Sequence, residues 1–120
     1  MDPKTEELLE RTFQFGVDVL TFLSTLPKSK VNDVLTYQLA KAATSVGANY
    51  EEAQAAESKN DFVHKISIVL KEARESNYWL RVFKAILKEE VYQNPLDRLT
   101  NESKELKSIF SRIKITASGK

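Results

Sequence analysis

The chain has 120 residues, with 18 Lys or Arg, 17 Asp or Glu, one His and no Cys. That length suits one domain around a single core, here residues 1–120, and leaves little room for a second. A composition 42% apolar and 29% charged, with three Gly and three Pro, excludes disorder and collagen-like repeats, and the lack of Cys excludes disulfides and a thiol nucleophile. No apolar run approaches the ~20 residues of a membrane span. The start, Met1-Asp2-Pro3-Lys4, lacks the basic and apolar regions of a signal peptide. The expectation is a cytoplasmic protein with no membrane partner.

Four segments follow in chain order, predicted as helices near 3–26, 32–56, 59–90 and 95–116. Asp2-Pro3 supplies an acidic cap and a proline at the first helical position. Two adjacent rows, Leu9, Phe13, Gly16, Leu20, Leu23 and Leu8, Thr12, Phe15, Val19, Phe22, Leu26, then make a wide apolar face. Pro27 ends this helix. Asn32 is the expected cap of the second helix, whose seam runs Leu35, Leu39, Ala42, Val46, Asn49, Ala53, Ala56. Its small residues admit a close neighbour, and Gly47 marks a candidate contact.

Ser58 and Asp61 stand at capping-box spacing before the third helix. Its seam reads Phe62, Ile66, Val69, Ala73, Ser76, Leu80, Phe83, Leu87, while Ile68, Tyr78, Trp79, Val82 and Ile86 fall outside it. Apolar surface beyond one core points to a subunit interface. Asn94-Pro95 repeats the cap-plus-proline start, and Leu99, Ser103, Leu106, Phe110, Ile113 form the last seam. No stretch alternates with period two, so the fold class is all-α: an antiparallel, up-down-up-down four-helix bundle.

Charge is unevenly placed. Residues 1–26 carry a net −3 and residues 98–120 a net +4, within a chain of net charge +1. The basic end suits either phosphate contact or compensation of its own helix dipole. Lys104, Lys107, Arg112 and Lys114 are the candidate nucleic-acid contacts.

Catalytic chemistry finds no support. A di-iron bundle needs Glu-x-x-His on two helices, and this chain has one histidine, His64. No Cys, His and carboxylate cluster has zinc spacing, and no Gly-rich phosphate loop exists. Glu72 and Glu75 share a helix face, but Lys71 and Arg74 adjoin them, which reads as a salt network. The expectation is a non-enzyme with no cofactor and no metal. Asn49, on a seam, needs a hydrogen-bond partner, because an unpaired buried amide costs on the order of 1–3 kcal/mol. Glu52, one turn on, is placed to extend its network.

Two runs carry a resemblance. Residues 43–53, Ala-Thr-Ser-Val-Gly-Ala-Asn-Tyr-Glu-Glu-Ala, contain Ser-x-x-Ala-Asn-x-x-Glu. Residues 71–80, Lys-Glu-Ala-Arg-Glu-Ser-Asn-Tyr-Trp-Leu, follow after Ser58-Lys59-Asn60-Asp61-Phe62. Together they resemble the four-helix-bundle proteins encoded in intervening sequences of bacterial 23S rRNA genes, a family that includes the accessory variability determinant of diversity-generating retroelements. The resemblance implies assembly as a ring, typically a homopentamer with a central channel. It points to Asn49, Glu52, Lys65, Lys71, Glu72 and Glu75 as oligomer or bundle contacts. It likewise implies Tyr78 and Trp79 as interface anchors, and Ser58 and Asp61 as helix caps. The retroelement members imply a structured RNA or DNA partner and a reverse transcriptase. The near-neutral charge of this chain departs from their basic pattern. Two functions follow: an oligomeric nucleic-acid or reverse-transcriptase adaptor, or a protein-interaction or assembly ring with no nucleic-acid role.

Overall fold

Local capping sets each helix start. In this computed structural model, which describes residues 1–119, the Asp2 carboxylate accepts from the Lys4 backbone N–H at 3.0 Å and Pro3 opens helix α1 (Pro3–Leu23). The helix stops short of the predicted residue 26. Ser24, Thr25 and Leu26 instead form tight turns onto Leu20, Phe22 and Leu23 carbonyls, since the residue before Pro27 is biased away from helical backbone.

Helix α2 (Lys30–Ala53) is capped by Ser29 and not by the predicted Asn32. The Ser29 hydroxyl accepts from the Asn32 N–H at 3.0 Å, and the buried Asn32 amide donates back to the Pro27 carbonyl at 2.9 Å. Asn32 therefore ties off the connection from α1. Helix α3 (Lys59–Ile86) has the Ser58 hydroxyl accepting from the Asp61 N–H at 3.0 Å. The Asp61 carboxylate reaches back to the Glu57 N–H at 3.1 Å and pairs with Lys65 at 3.0 Å. The Lys65 ammonium, with the Glu57 N–H, holds the Asp61 carboxyl below the usual carboxylate range.

Helix α4 (Glu90–Ala117) begins upstream of the predicted Asn94-Pro95 start and carries Pro95 inside it. The Gln93 amide organises this extra turn, donating to the Leu87 and Glu89 carbonyls at 2.8 and 3.1 Å. Tyr92 anchors it by setting its ring edge-on to Phe22 at 6.2 Å.

Helix pairs run antiparallel. Asn77 and Lys84 of α3 meet Ser103 and Asp97 of α4, and Arg11 and Asp18 of α1 meet Glu102 and Arg98 of α4. Gly47 of α2 lies against Thr12 and Phe13, and Gly16 of α1 against Ala43 and Thr44. Successive helices pack side by side, and α1 returns to α4 along a thinner seam, giving the up-down-up-down order. The bundle measures 45 × 24 × 23 Å. One buried cluster, including Phe15, Leu39, Ile66, Phe83 and Phe110, draws on every helix. Edge-to-face rings cross it at Phe22–Phe83 and Tyr50–Phe110, with centroids 6.3 and 5.1 Å apart.

Candidate nucleic-acid interface

A buried polar chain sets the register of α3 on α4. The Asn77 amide donates to the Ser103 hydroxyl at 2.9 Å, and Ser103 donates to the Thr100 carbonyl at 2.8 Å. On the other side the Arg81 guanidinium donates to the Asn77 side-chain oxygen at 3.0 Å. This register places Arg74, one turn back along α3, beside the basic half of α4.

The charges of α4 are sorted by face. Three of its acids, Asp97, Glu102 and Glu105, meet cations of neighbouring helices. Arg11 of α1 grips Glu102 with two donors at 2.7 and 2.8 Å and reaches Glu105 at 2.6 Å. Together the two carboxylates push the Arg11 guanidinium further toward its charged form. Asp97 pairs with Lys84 at 2.5 Å, and Arg98 meets Asp18 of α1 at 3.4 Å. Among the described residues Arg74, Lys107 and Arg112 have no ion-pair partner. They line a groove of about 540 Å³ between α3 and α4, with Ser108, Ser111 and Leu70.

Two guanidiniums, one ammonium and two hydroxyls form a donor set for phosphate oxygens. No aromatic ring lines this groove, so it offers nothing for a base to stack on. The arrangement suits backbone positioning and not base reading.

The other predicted residues scatter. Lys104 is exposed and Lys114 half-buried, and neither lines the groove. Asn49 is half-buried, and its amide donates to the Ser45 carbonyl of its own helix at 2.8 Å. Glu52 is exposed on the opposite side of the bundle, beside α1. Lys71 is exposed with no ion-pair partner among the described residues. Glu72 and Glu75 are half-buried; burial, then the Glu75 charge, pushes the Glu72 carboxyl up. The Trp79 indole donates to Glu75 at 3.2 Å, and its ring packs on the core of its own bundle. Tyr78 is exposed, edge-on to Trp79 at 4.9 Å and 5.7 Å from the Arg81 guanidinium. Sequence reasoning passed over Asn77 and read Lys71 and Arg74 into a salt network with Glu72 and Glu75, none of whose members forms an ion pair among the described residues. The signal for Asn77 and Arg74 is the α3–α4 register, which spacing along one helix does not contain.

A second surface lies away from this groove. Phe13, Val17 and Leu20 are 58%, 37% and 44% exposed. The sequence rows place Phe13 and Leu20 on the buried face. Two adjacent apolar rows are wider than the buried face, so these side chains stand on the rim of a shallow groove of about 460 Å³ whose floor holds Gly16 and Gly47. No three His, Cys, Asp or Glu side chains gather as metal ligands among the described residues, and no helix there is long and apolar enough to cross a membrane.

The comparisons with known proteins agree with this architecture. The chain is similar to a crystal structure of a protein of unknown function from the S23 ribosomal protein family of Bacteroides thetaiotaomicron VPI-5482. Identity is 29%, coverage is 92% of this chain and 97% of that one, and the TM-score is 0.78. No curated protein matches. The family model for 23S rRNA-intervening sequence proteins matches residues 4–111, nearly the whole bundle, and the chain belongs to that family.

Proposed function

We propose that this protein is a non-enzymatic, self-assembling helical bundle that binds structured nucleic acid through the α3–α4 groove. The observation that carries this reading is the gathering of three unpaired cations on one groove. Arg11, Lys65, Lys84 and Arg98 are each spent on a carboxylate, whereas Arg74, Lys107 and Arg112 share one groove with no acidic partner among the described residues. Unspent cations on a fixed scaffold are what a phosphate backbone requires. Lys104 and Lys114 extend the same basic half of α4. The resemblance of residues 43–80 supports assembly as a ring, with a pentamer favoured, and a narrower role beside a reverse transcriptase. In a ring the groove repeats, and repeated weak phosphate contacts sum to avidity.

The test is a titration of the wild-type protein with a structured RNA hairpin across a salt series. Affinity should fall steeply as salt rises. The triple variant Arg74→Gln, Lys107→Gln, Arg112→Gln should reduce the slope of log affinity on log salt by about 2–3 for each engaged groove. Unchanged affinity and slope in that variant would remove the groove from the reading.

A second reading, an assembly ring with no nucleic-acid role, draws on the exposed Phe13, Val17 and Leu20. Retention of RNA by the wild type that disappears in the triple variant would set it aside.

A further inference from the structure

We propose that the α1–α2 groove receives the α3 ridge of a second copy of this chain, so that copies join head to tail. This deepens the assembly half of the proposed function by naming its contact.

The groove has an apolar wall and an acidic end. Phe13, Val17 and Leu20 rise from α1, Gly16 and Gly47 lie between the helices, and Glu51 and Glu52 close one end. Glu6 and Glu10 continue the acidic side around Phe13. Water is released when such apolar side chains are covered, so their partial exposure in the single chain is a standing drive toward a partner.

The ridge is the chemical complement. Tyr78, Val82 and Ile86 repeat at i, i+4 and i+8 on α3, and Tyr78 and Ile86 are 49% and 45% exposed. This is the spacing by which one helix lies in the crease between two others. Lys71 and Arg81 flank it. Among the described residues neither these cations nor Glu6, Glu10, Glu51 and Glu52 have an ion-pair partner in their own bundle.

Charge selects the pairing. Groove against groove would set carboxylates against carboxylates, and ridge against ridge would leave the acidic, apolar groove uncovered. Groove against ridge places each excess beside its opposite. The two surfaces belong to different helices, so the contact is heterologous, and repetition closes a ring or extends a filament. It leaves Lys107, Ser108, Ser111 and Arg112 of α4 outside the contact, while Arg74, one turn before Tyr78 on α3, borders both surfaces.

The experiment uses two variants of the full chain, Val17→Arg to block the groove and Tyr78→Glu to block the ridge. Both sites are exposed, and circular dichroism checks that each variant keeps its helices. Native mass spectrometry should give the wild type as multiples of 13.7 kDa and each variant alone as a monomer. Mixed, the variants should form a one-to-one pair and nothing larger, because one still owns a ridge and the other a groove. A monomeric wild type, a variant that assembles like the wild type, or a mixture that stays monomeric would each overturn the proposal. The members of a second pair, Glu51→Lys and Lys71→Glu, should each alone assemble more weakly than the wild type and regain assembly when mixed. RNA titration of monomeric Val17→Arg separates the two claims: salt-dependent binding there, even if weaker by lost avidity, leaves the α3–α4 groove standing whatever the fate of the contact.

Discussion

Replacing Gly47 by Ala sets two effects of similar size against each other. An alanine in mid-helix is favoured over glycine by about 1 kcal/mol of intrinsic propensity. At Gly47, however, a Cβ would stand 3.2 Å from both the Thr12 carbonyl carbon and its oxygen, and 3.3 Å from the Phe13 nitrogen. These are backbone atoms of α1 and have no rotamer to escape into. The whole helix must give by a few tenths of an ångström, and overpacking of this kind costs roughly 1–3 kcal/mol. The net expectation is a destabilisation of about 1 kcal/mol. Gly16 is the internal control. Its added Cβ would meet the Ala43 oxygen and Thr44 Cα at 3.5 Å, which is ordinary contact. There the propensity term acts alone, and Gly16→Ala should stabilise by about 0.5–1 kcal/mol. Urea unfolding followed by circular dichroism at low protein concentration reads both. Opposite signs support the packing; a Gly47→Ala as stabilising as Gly16→Ala would refute it.

Ser103→Ala should cost about 1–3 kcal/mol in the same assay, because it strips the buried Asn77 amide of its acceptor; the double variant with Asn77→Leu should recover part of that loss, and additive losses would argue against the pairing. Arg11→Gln, which cuts α1 from Glu102 and Glu105 at a half-exposed site, should lose about 0.5–1 kcal/mol at low salt and less at high salt. Glu72 and Asp61 predict opposite pH dependences. A carboxyl raised on folding contributes stability below the ordinary carboxylate range, which is lost as pH rises through the raised value. Glu72→Gln should therefore melt higher than wild type at neutral pH, with the advantage vanishing in acid. Asp61, held low by Lys65, contributes stability above the ordinary range that disappears as pH falls through its lowered value. Asp61→Asn should melt lower than wild type at neutral pH and match it in acid. Thermal melts from acid to neutral pH test both signs.

Much of the helical order is legible in the amino-acid pattern, because seams such as Ile66, Val69, Ala73, Leu80 and Phe83 repeat cleanly on a buried face. Local chemistry that has two solutions is less legible. Asn94-Pro95 is a good helix start, yet the side chain of Gln93 organises a turn ahead of it. Ser29 and Asn32 are both good caps, and only the path of the chain past Pro27 decides between them. Spacing alone also overstated the buried face of α1, because two adjacent apolar rows are wider than a bundle interior needs. The candidate groove was half visible: Lys107 and Arg112 stand in the basic run of α4, while Arg74 joins them only through the Asn77–Ser103 register. Asn49 attracted notice as a seam polar residue, but its own helix satisfies it, and the amide that crosses between helices belongs to Asn77.

The thin seam between α1 and α4 has a consequence for the order in which the bundle forms and opens. Every extensive helix contact joins elements consecutive in the chain, and only the α1–α4 seam closes the whole length of it. Closure over that span is entropically costly, and α1–α2 is the least extensive of the consecutive pairs, so α2, α3 and α4 can condense as a nucleus before α1 docks on the far side. The same hierarchy governs the native state: the amides of α1 should exchange their hydrogens through a partial opening that spares the rest, making this helix the first cooperative unit to leave and the last to return.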